Sequence, residues 1–261
     1  MKLSISNIAW DWADDAEILA HIVASGFSGI EVAPTRVISE NPYDHLDKAN
    51  DFYNKITALG LSIPSMQSIW FGRTERVFFG DAERASLLDY SKKAIDFAEV
   101  LHCENLVFGS PKNRVLADKK ERAAGLDMIA KIGEYAAKKD TVFAIEANPA
   151  IYNTNFINRT DEAFALVREI GQKGLGVNVD MGTVIENGED IGLLEENMDL
   201  INHVHISEPY LAVPKKRELH RELAQLLRAN GYHRFVSIEM KNCGDIETVK
   251  QTMSYVSEVF K

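Results

Sequence analysis

The amino-acid sequence predicts an α/β fold, a single-domain (β/α)₈ (TIM) barrel that spans residues 1–261. Short segments with strand character alternate strictly with amphipathic helical segments, a pattern typical of parallel strands with helical crossovers. There are eight such pairs, and the length of 261 residues matches the roughly 250 residues of a (β/α)₈ barrel. An open doubly wound sheet is the alternative. It is disfavoured because residues 6–12, after the first strand, lack the glycines of a phosphate-binding loop.

The predicted elements follow one another without a linker, repeat or low-complexity tract. The strands cover residues 3–9, 29–33, 61–69, 105–108, 142–146, 176–180, 203–207 and 235–239. The helices cover residues 14–25, 43–59, 81–102, 119–139, 161–171, 191–200, 216–230 and 246–260. Each helix repeats apolar residues at helical spacing. Aspartates at positions 14, 15 and 81 suit helix starts, and glycines at 26, 60 and 231 suit helix ends.

Composition limits the classes of partner. The formal net charge is -10, so most of the surface repels phosphate, and we expect no binding to nucleic acid or to anionic membranes. The two cysteines lack the spacing of a metal motif, and reduced thiols are the expectation. The sequence shows neither a signal peptide nor a run of ~20 apolar residues. We expect a soluble, cytoplasmic protein, and a homo-oligomer remains open.

Four metal-capable side chains end consecutive predicted strands: Glu146, Asp180, His205 and Glu239. Active sites of such barrels lie at the carboxyl ends of the strands, so these side chains are expected to meet. One acidic residue at a strand end is often only a cap, and a lone histidine on a strand is often a core residue. Three carboxylates at one rim repel one another unless a cation neutralises them. The set suits one divalent metal ion, with Mn²⁺ favoured over Mg²⁺, Co²⁺ or Zn²⁺.

The chain resembles the xylose-isomerase-like sugar phosphate isomerase/epimerase family of (β/α)₈ barrels. The resemblance covers the chain in order and is most specific at residues 144–149 (AIEANP), 177–180 (VNVD), 203–208 (HVHISE) and 237–239 (SIE). Residues 107–114 (VFGSPKNR) also resemble the end of the fourth strand in that family. The resemblance implies that Glu146, Asp180, His205 and Glu239 hold one metal ion. It implies that Glu146 and Glu239 are the catalytic acid/base pair, and that His203 lies deeper in the barrel.

This arrangement predicts a mechanism. A ketose or hydroxy-ketone would bind the metal through two oxygens, and one glutamate would remove the proton beside the carbonyl to give a metal-stabilised enediolate. The other glutamate would return a proton on the opposite face or on the adjacent carbon. The predicted function is therefore a metal-dependent isomerase or epimerase of sugars, sugar phosphates or keto-acids.

Other residues are candidates for substrate contacts. Lys112 and Arg114 follow the fourth strand and could hold a phosphate or carboxylate, or could be a solvated loop pair. Aromatic rings after the first and third strands could stack on a sugar or form a subunit interface: Trp10, Trp12, Trp70 and Phe71. Further polar candidates are Gln67, Asn148 and Glu208, whereas Lys241 is expected at the surface. Family epimerases often have a histidine at the position of Thr183 and an arginine at that of Leu211, so the resemblance does not give the substrate.

Three other functions remain as alternatives. A metal-dependent keto-cyclitol dehydratase would use the same enolisation and then expel a hydroxyl group. A repair phosphodiesterase similar to endonuclease IV would need a histidine-rich metal cluster and a basic groove, and both are missing. A non-catalytic sugar-binding barrel is disfavoured because an unused group of like charges only destabilises the fold.

Overall fold

The computed structural model describes all 261 residues, and its centre is a seven-stranded parallel sheet that curls into a barrel wall. The strands are β1 (Lys2–Ser6), β2 (Gly29–Glu31), β3 (Asn105–Phe108), β4 (Val142–Glu146), β5 (Leu175–Asp180), β6 (Ile201–Ile206) and β7 (Phe235–Ile238). Their order in the sheet is β2-β1-β7-β6-β5-β4-β3. Every neighbouring pair is parallel, so the predicted TIM-barrel-like fold is confirmed.

The predicted third strand, residues 61–69, is not a regular strand. Residues 61–67, which we call the bridging segment, lie between β2 and β3 and close the barrel through isolated parallel bridges. Met66 donates its N–H to the Asn105 carbonyl at 2.8 Å, and Gln67 donates to the Val32 carbonyl at 2.9 Å. Pro64 has no N–H to donate and interrupts the ladder. The segment therefore occupies the place of an eighth strand without full pairing.

Helices cover the outside of the sheet. They are α1 (Asp15–Ala24), α2 (Pro34–Val37), α3 (Leu46–Ala58), α4 (Asp81–Val100), α5 (Arg122–Ala137), α6 (Thr160–Ile170), α7 (Met181–Asn187), α8 (Glu218–Ala229) and α9 (Ile246–Phe260). The predicted helix at Ile191–Leu200 is 3₁₀ rather than α. Gly192, Asn197 and Asp199 are weak α-helix formers, which accounts for the difference. No helix has the length and apolar character needed to cross a membrane.

The two faces of the strands differ in chemistry. Apolar side chains of the sheet and the helices form one continuous core, with Leu3, Val179 and Val204 among its buried members. The alternate strand positions are polar and also buried, and they include Ser4, Ser6, Glu31, Asn105, Asn178, His203, His205 and Ser237. Because successive strand residues face opposite sides, these polar groups line the barrel interior. A polar interior leads directly to the carboxyl ends of β4–β7.

Candidate metal centre and active site

The four side chains predicted as metal ligands meet at the carboxyl end of the barrel. One ligand atom from each of Glu146, Asp180, His205 and Glu239 lies within 4.8 Å of the corresponding atoms of the others. Nδ1 of His205 is 3.2 Å from Glu146 Oε1 and 3.2 Å from Glu239 Oε2. Asp180 of β5 is in register with His205 of β6, after a register shift between Val177 and Asn178.

Asp180 is held by the start of the helix that follows it. As the N-cap of α7, its Oδ2 accepts a hydrogen bond from the Thr183 N–H at 2.8 Å. The Thr183 hydroxyl lies 2.9 Å from the same oxygen and 2.8 Å from the Ala147 carbonyl. Ser207 donates its hydroxyl to Oδ1 of Asp180. Thr183, where family epimerases often have a histidine, therefore orients a carboxylate of the cluster.

Glu146 is oriented by two amide side chains. The Asn178 Nδ2 group donates to Oε1 at 2.7 Å, and the Asn148 Nδ2 group donates to Oε2 at 3.1 Å. Gly109 leaves room for this side chain, since a Cβ atom at Gly109 would lie 2.6 Å from Glu146 Oε2. Asn148, a predicted substrate contact, thus lies next to the cluster. The sequence analysis missed Asn178, although a buried polar residue two positions before Asp180 on the same strand face was a usable signal.

His205 and His203 share a buried carboxylate that the sequence analysis also missed. Glu31, the last residue of β2, places Oε2 at 2.8 Å from Nε2 of His205 and at 3.2 Å from Nε2 of His203. All three side chains are buried. His203 lies deeper in the barrel than the ligand cluster, as the family resemblance implied. A carboxylate within the otherwise apolar run Gly29–Ala33 was the available signal for Glu31.

The electrostatics of the cluster favour a cation. Burial raises the pKa of Asp180, and the nearby Glu146 raises it further. Burial also raises the pKa of Glu239, against the opposing effect of His205. Burial alone would lower the pKa of His205, but Glu31 and Glu239 raise it well above its usual value. Three carboxylates at this spacing repel one another, and no lysine or arginine forms an ion pair with them.

The donor set fits a divalent metal ion. Ligand atoms at about 2.0–2.2 Å from one ion lie no more than about 4.4 Å apart, close to the observed spacing. Three carboxylates and one imidazole are donors that Mn²⁺, Mg²⁺, Co²⁺ and Zn²⁺ accept. Oδ1 of Asn148 and Oδ1 of Asn178 are buried beside the cluster without a hydrogen-bond partner. The four residues therefore fit a divalent metal ion both in the chemistry of their donor atoms and in the spacing of those atoms.

The structure separates the two cations that were predicted to bind an acidic substrate. Arg114 is fully buried, and its Nη1 donates to the carbonyls of Glu146 at 2.7 Å and Phe108 at 3.3 Å. Burial lowers the pKa of Arg114 to about 10. Lys112 is exposed on the loop and makes no ion pair. The interpretation of Arg114 as a solvated loop residue is wrong, because it is buried and its Nη1 joins β3 to β4, whereas its role toward an acidic substrate stays a prediction.

Four other predicted substrate contacts form hydrogen bonds with other side chains of the fold. Trp10 and Trp70 are buried, and their indole N–H groups donate to Asp15 and Ser91. Gln67 is buried and donates to Ser6 at 3.2 Å. Glu208 accepts two hydrogen bonds from Arg217, at 2.7 and 2.6 Å. The placement of the two tryptophans at the rim is corrected, because apolar packing outweighed exposure for rings so close to the strands.

Other aromatic side chains form the mouth of the barrel. Trp12 is 72% exposed and Phe71 is 68% exposed, both in loops at the carboxyl end. Tyr152, half-buried in the loop after β4, accepts a hydrogen bond from the Tyr210 N–H at 2.7 Å. Burial, with Asp180 and the two cluster glutamates nearby, raises the pKa of Tyr152 to about 12. This tyrosine lies beside the cluster and was missed, since a loop residue six positions beyond a strand carries no periodic signal.

Solved structures with the same fold include sugar epimerases. A 3-keto-D-glucoside 4-epimerase from E. coli is 18% identical, with a TM-score of 0.80 and 99% of each chain covered. A D-psicose 3-epimerase from Clostridium cellulolyticum H10, solved with D-tagatose, is 16% identical, with a TM-score of 0.81 and 100% of each chain covered. The IOLI protein, solved with a zinc atom, is 15% identical, with a TM-score of 0.73 and 100% of each chain covered. At these identities the similarity shows the fold.

The family assignment rests on the sequence. No curated protein gave a significant sequence match. The family model described as xylose isomerase-like TIM barrel matches residues 19–258, which is nearly the whole chain. The match includes all four side chains of the cluster and every strand except β1. The chain therefore belongs to the xylose isomerase-like TIM-barrel family.

Proposed function

We propose that this chain is a divalent-metal-dependent isomerase or epimerase of sugars, with Glu146 and Glu239 as the proton-transfer pair. The single observation that carries the proposal is the placement of these carboxylates. Each lies 3.2 Å from Nδ1 of His205, so they face a common point from two different strands. Two carboxyl groups around one substrate carbon can remove a proton and return one. The epimerases with the same fold support this reaction class.

The same cluster would hold the metal, with Glu146, Asp180, His205 and Glu239 each supplying one ligand atom. When bound, the cation would polarise the substrate carbonyl and stabilise the charge that develops on its oxygen during deprotonation. Oxygen-rich ligation favours Mn²⁺, with Mg²⁺, Co²⁺ and Zn²⁺ as alternatives. Asp180 has no free side for proton transfer because Thr183 and Ser207 engage its oxygens. We therefore assign it to binding alone.

The two glutamates differ in their surroundings, which suggests their roles. Two amide N–H groups point at Glu146, an environment that suits a carboxylate able to accept a proton. Glu239 receives no amide donor, so its carboxyl group is less constrained than that of Glu146 and suits a group that delivers a proton. We assign Glu146 as the base that removes the proton beside the carbonyl. Glu239 returns a proton on the opposite face or on the adjacent carbon.

We expect the substrate to be a neutral sugar rather than a sugar phosphate. Arg114 donates to backbone carbonyls inside the fold, and Arg217 is bound to Glu208. No lysine or arginine forms an ion pair with the cluster carboxylates, and the guanidinium nitrogens of Arg114 that lack a partner are fully buried. Asn148 and Tyr152 are the polar side chains beside the cluster that could contact sugar hydroxyls. The net charge of -10 also disfavours a nucleic-acid substrate.

The decisive experiment is proton exchange. The Mn²⁺-loaded protein is incubated in D₂O with ketoses, keto-glycosides, hydroxy-acids and the phosphate esters of the same sugars, and the products are followed by NMR. We expect deuterium beside the carbonyl of at least one neutral sugar, and less exchange in its phosphate ester. Loss of a hydroxyl group instead of exchange would identify a keto-cyclitol dehydratase. Metal-loaded protein that exchanges no proton in any compound would contradict the proposal.

A further inference from the structure

One buried carboxylate contacts the cluster from the opposite side of the barrel. Glu31 ends β2, whereas the four cluster residues lie on or next to β4–β7. Its Oε2 is 2.8 Å from Nε2 of His205, the ring nitrogen that faces away from the cluster. The side chain has no contact with solvent, and no lysine or arginine pairs with it. Its hydrogen bond with His205 is therefore the main interaction that offsets the cost of burying this charge, since Oε1 of Glu31 has no partner.

The contact with Glu31 determines which nitrogen of His205 carries the proton. A carboxylate accepts hydrogen bonds, so a distance of 2.8 Å to Nε2 requires a proton on Nε2. With Nε2 bound to Glu31, Nδ1 is the ring nitrogen that points at Glu146 and Glu239 and that can serve as a ligand atom. A second contact favours the same tautomer: the Asn178 Nδ2 donor lies 3.2 Å from Nδ1. The opposite tautomer would bring two acceptors together at Glu31 and two donors together at Asn178.

His203 packs against the same carboxylate. Its Nε2 is 3.2 Å from Oε2 of Glu31 but forms no hydrogen bond with it. The rings of His203 and His205 meet edge to face, with centroids 5.3 Å apart. Oε2 of Glu31 therefore lies between two imidazole rings, which limits its rotation.

We propose that Glu31 is a positioning residue that fixes the tautomer and ring orientation of His205 as a metal ligand, with His203 packed against Glu31. This proposal rests on the proposed function, which places a metal ion at the cluster, but it concerns metal binding rather than catalytic turnover. A carboxylate behind a metal-bound histidine increases the basicity of the ligand and restricts the ring. Loss of such a partner typically reduces metal affinity by about 10–100-fold. Nε2 of His205, which does not face the cluster, thus serves to hold the ring against Glu31.

The test is Co²⁺ binding to the full-length protein, followed by calorimetry and by the visible absorption of the bound ion. We expect Glu31→Gln to bind Co²⁺ about 10–100-fold more weakly than wild type, with an altered spectrum. Glu31→Ala should bind more weakly still, because Gln can still accept the Nε2 proton. His203→Phe should lose less affinity than Glu31→Gln.

Glu189→Gln is the matched control. Glu189 is also buried and accepts hydrogen bonds from the Thr160 N–H and the Asn187 amide, away from the cluster. Its variant should keep the Co²⁺ affinity and spectrum of wild type. Unchanged affinity and spectrum in Glu31→Gln would overturn the proposal, even if Glu189→Gln behaves as expected.

A measurement on the wild-type protein tests the proposal even if the variants do not fold. In the ¹⁵N NMR spectrum of the Zn²⁺-loaded, histidine-labelled protein, His205 should show a metal-bound Nδ1 and a protonated Nε2. A metal-bound Nε2 would overturn the proposal. Failure of the proposed function looks different: the metal would bind with the expected dependence on Glu31, but no sugar would exchange a proton.

Discussion

The two halves of the barrel contribute differently to the site. The half formed by β4–β7 is paired along its strands, with one register shift between β5 and β6, and supplies all four side chains of the cluster. The half formed by β1, β2, the bridging segment and β3 has incomplete pairing at the bridging segment. It supplies one buried carboxylate, Glu31, which reaches His205 through the barrel interior.

This difference separates binding groups from the groups that support them. Ligands that must meet come from consecutive strands, because the carboxyl ends of parallel strands all lie at one end of the barrel. A supporting group needs only to touch the far side of one ligand, so it can come from a distant strand. The predictions below test the two halves and the contact between them, from the largest expected effect to the smallest.

The first prediction concerns proton transfer in the ligand-bearing half. Glu239→Gln should lower kcat for proton exchange by about 10²–10⁴-fold, because the amide cannot deliver a proton. The measurement is deuterium incorporation into whichever sugar the wild type exchanges. Glu258→Gln, an exposed substitution on α9, should have no effect. If Glu239→Gln keeps more than a tenth of the wild-type activity, Glu239 is not a proton-transfer residue.

The second prediction concerns the seam between the halves. Arg114→Met should lower the free energy of unfolding by about 3 kcal/mol, since the carbonyls of Phe108 and Glu146 lose a buried donor. Lys112→Met should change stability by less than about 0.5 kcal/mol, because this side chain is exposed. Urea unfolding of both variants measures the difference. Equal effects would show that Arg114 does not join β3 to β4.

The third prediction concerns the metal. Elemental analysis should find one divalent ion per chain, and Mn²⁺ at 100 times its Kd should stabilise the protein by about 2.7 kcal/mol. Asp180→Asn should abolish this gain and keep the cap of α7, because asparagine also accepts the Thr183 N–H. Thermal unfolding with Mn²⁺ and with a chelator is the measurement. A melting temperature that changes neither with Mn²⁺ nor with the chelator would contradict the metal site.

The fourth prediction concerns the helices outside the sheet, at His220 of α8. Burial lowers the pKa of His220 to about 4, and its Nδ1 lies 2.8 Å from the Tyr255 hydroxyl. Between pH 6.5 and 4 the unfolded chain binds more protons at this position than the folded chain, so stability falls as pH falls. The loss is about 2 kcal/mol at pH 5. His220→Gln should remove this part of the pH dependence in urea unfolding, and an unchanged slope would contradict it.

The sequence by itself determined the alternation of strands and helices and the four side chains that end the strands of one half. These features are local: periodicity marks a strand, and its last polar residue marks the rim. The carboxyl ends of parallel strands lie at one end of a barrel, and Glu146, Asp180, His205 and Glu239 meet there. Asn148, two residues beyond Glu146 in the sequence, was predictable for the same reason.

Tertiary structure decided the rest. Glu31 and His205 are 174 residues apart, and no periodicity shows which distant side chains share the barrel interior. The direction of Arg114, with its guanidinium inside the fold rather than at the mouth, depends on carbonyl groups that only the folded sheet presents. Pro64 was visible in the sequence, but whether the bridging segment would still close the barrel depended on partners from both neighbouring strands. Contacts between distant segments are set by packing and by hydrogen bonds that exist only in the folded chain.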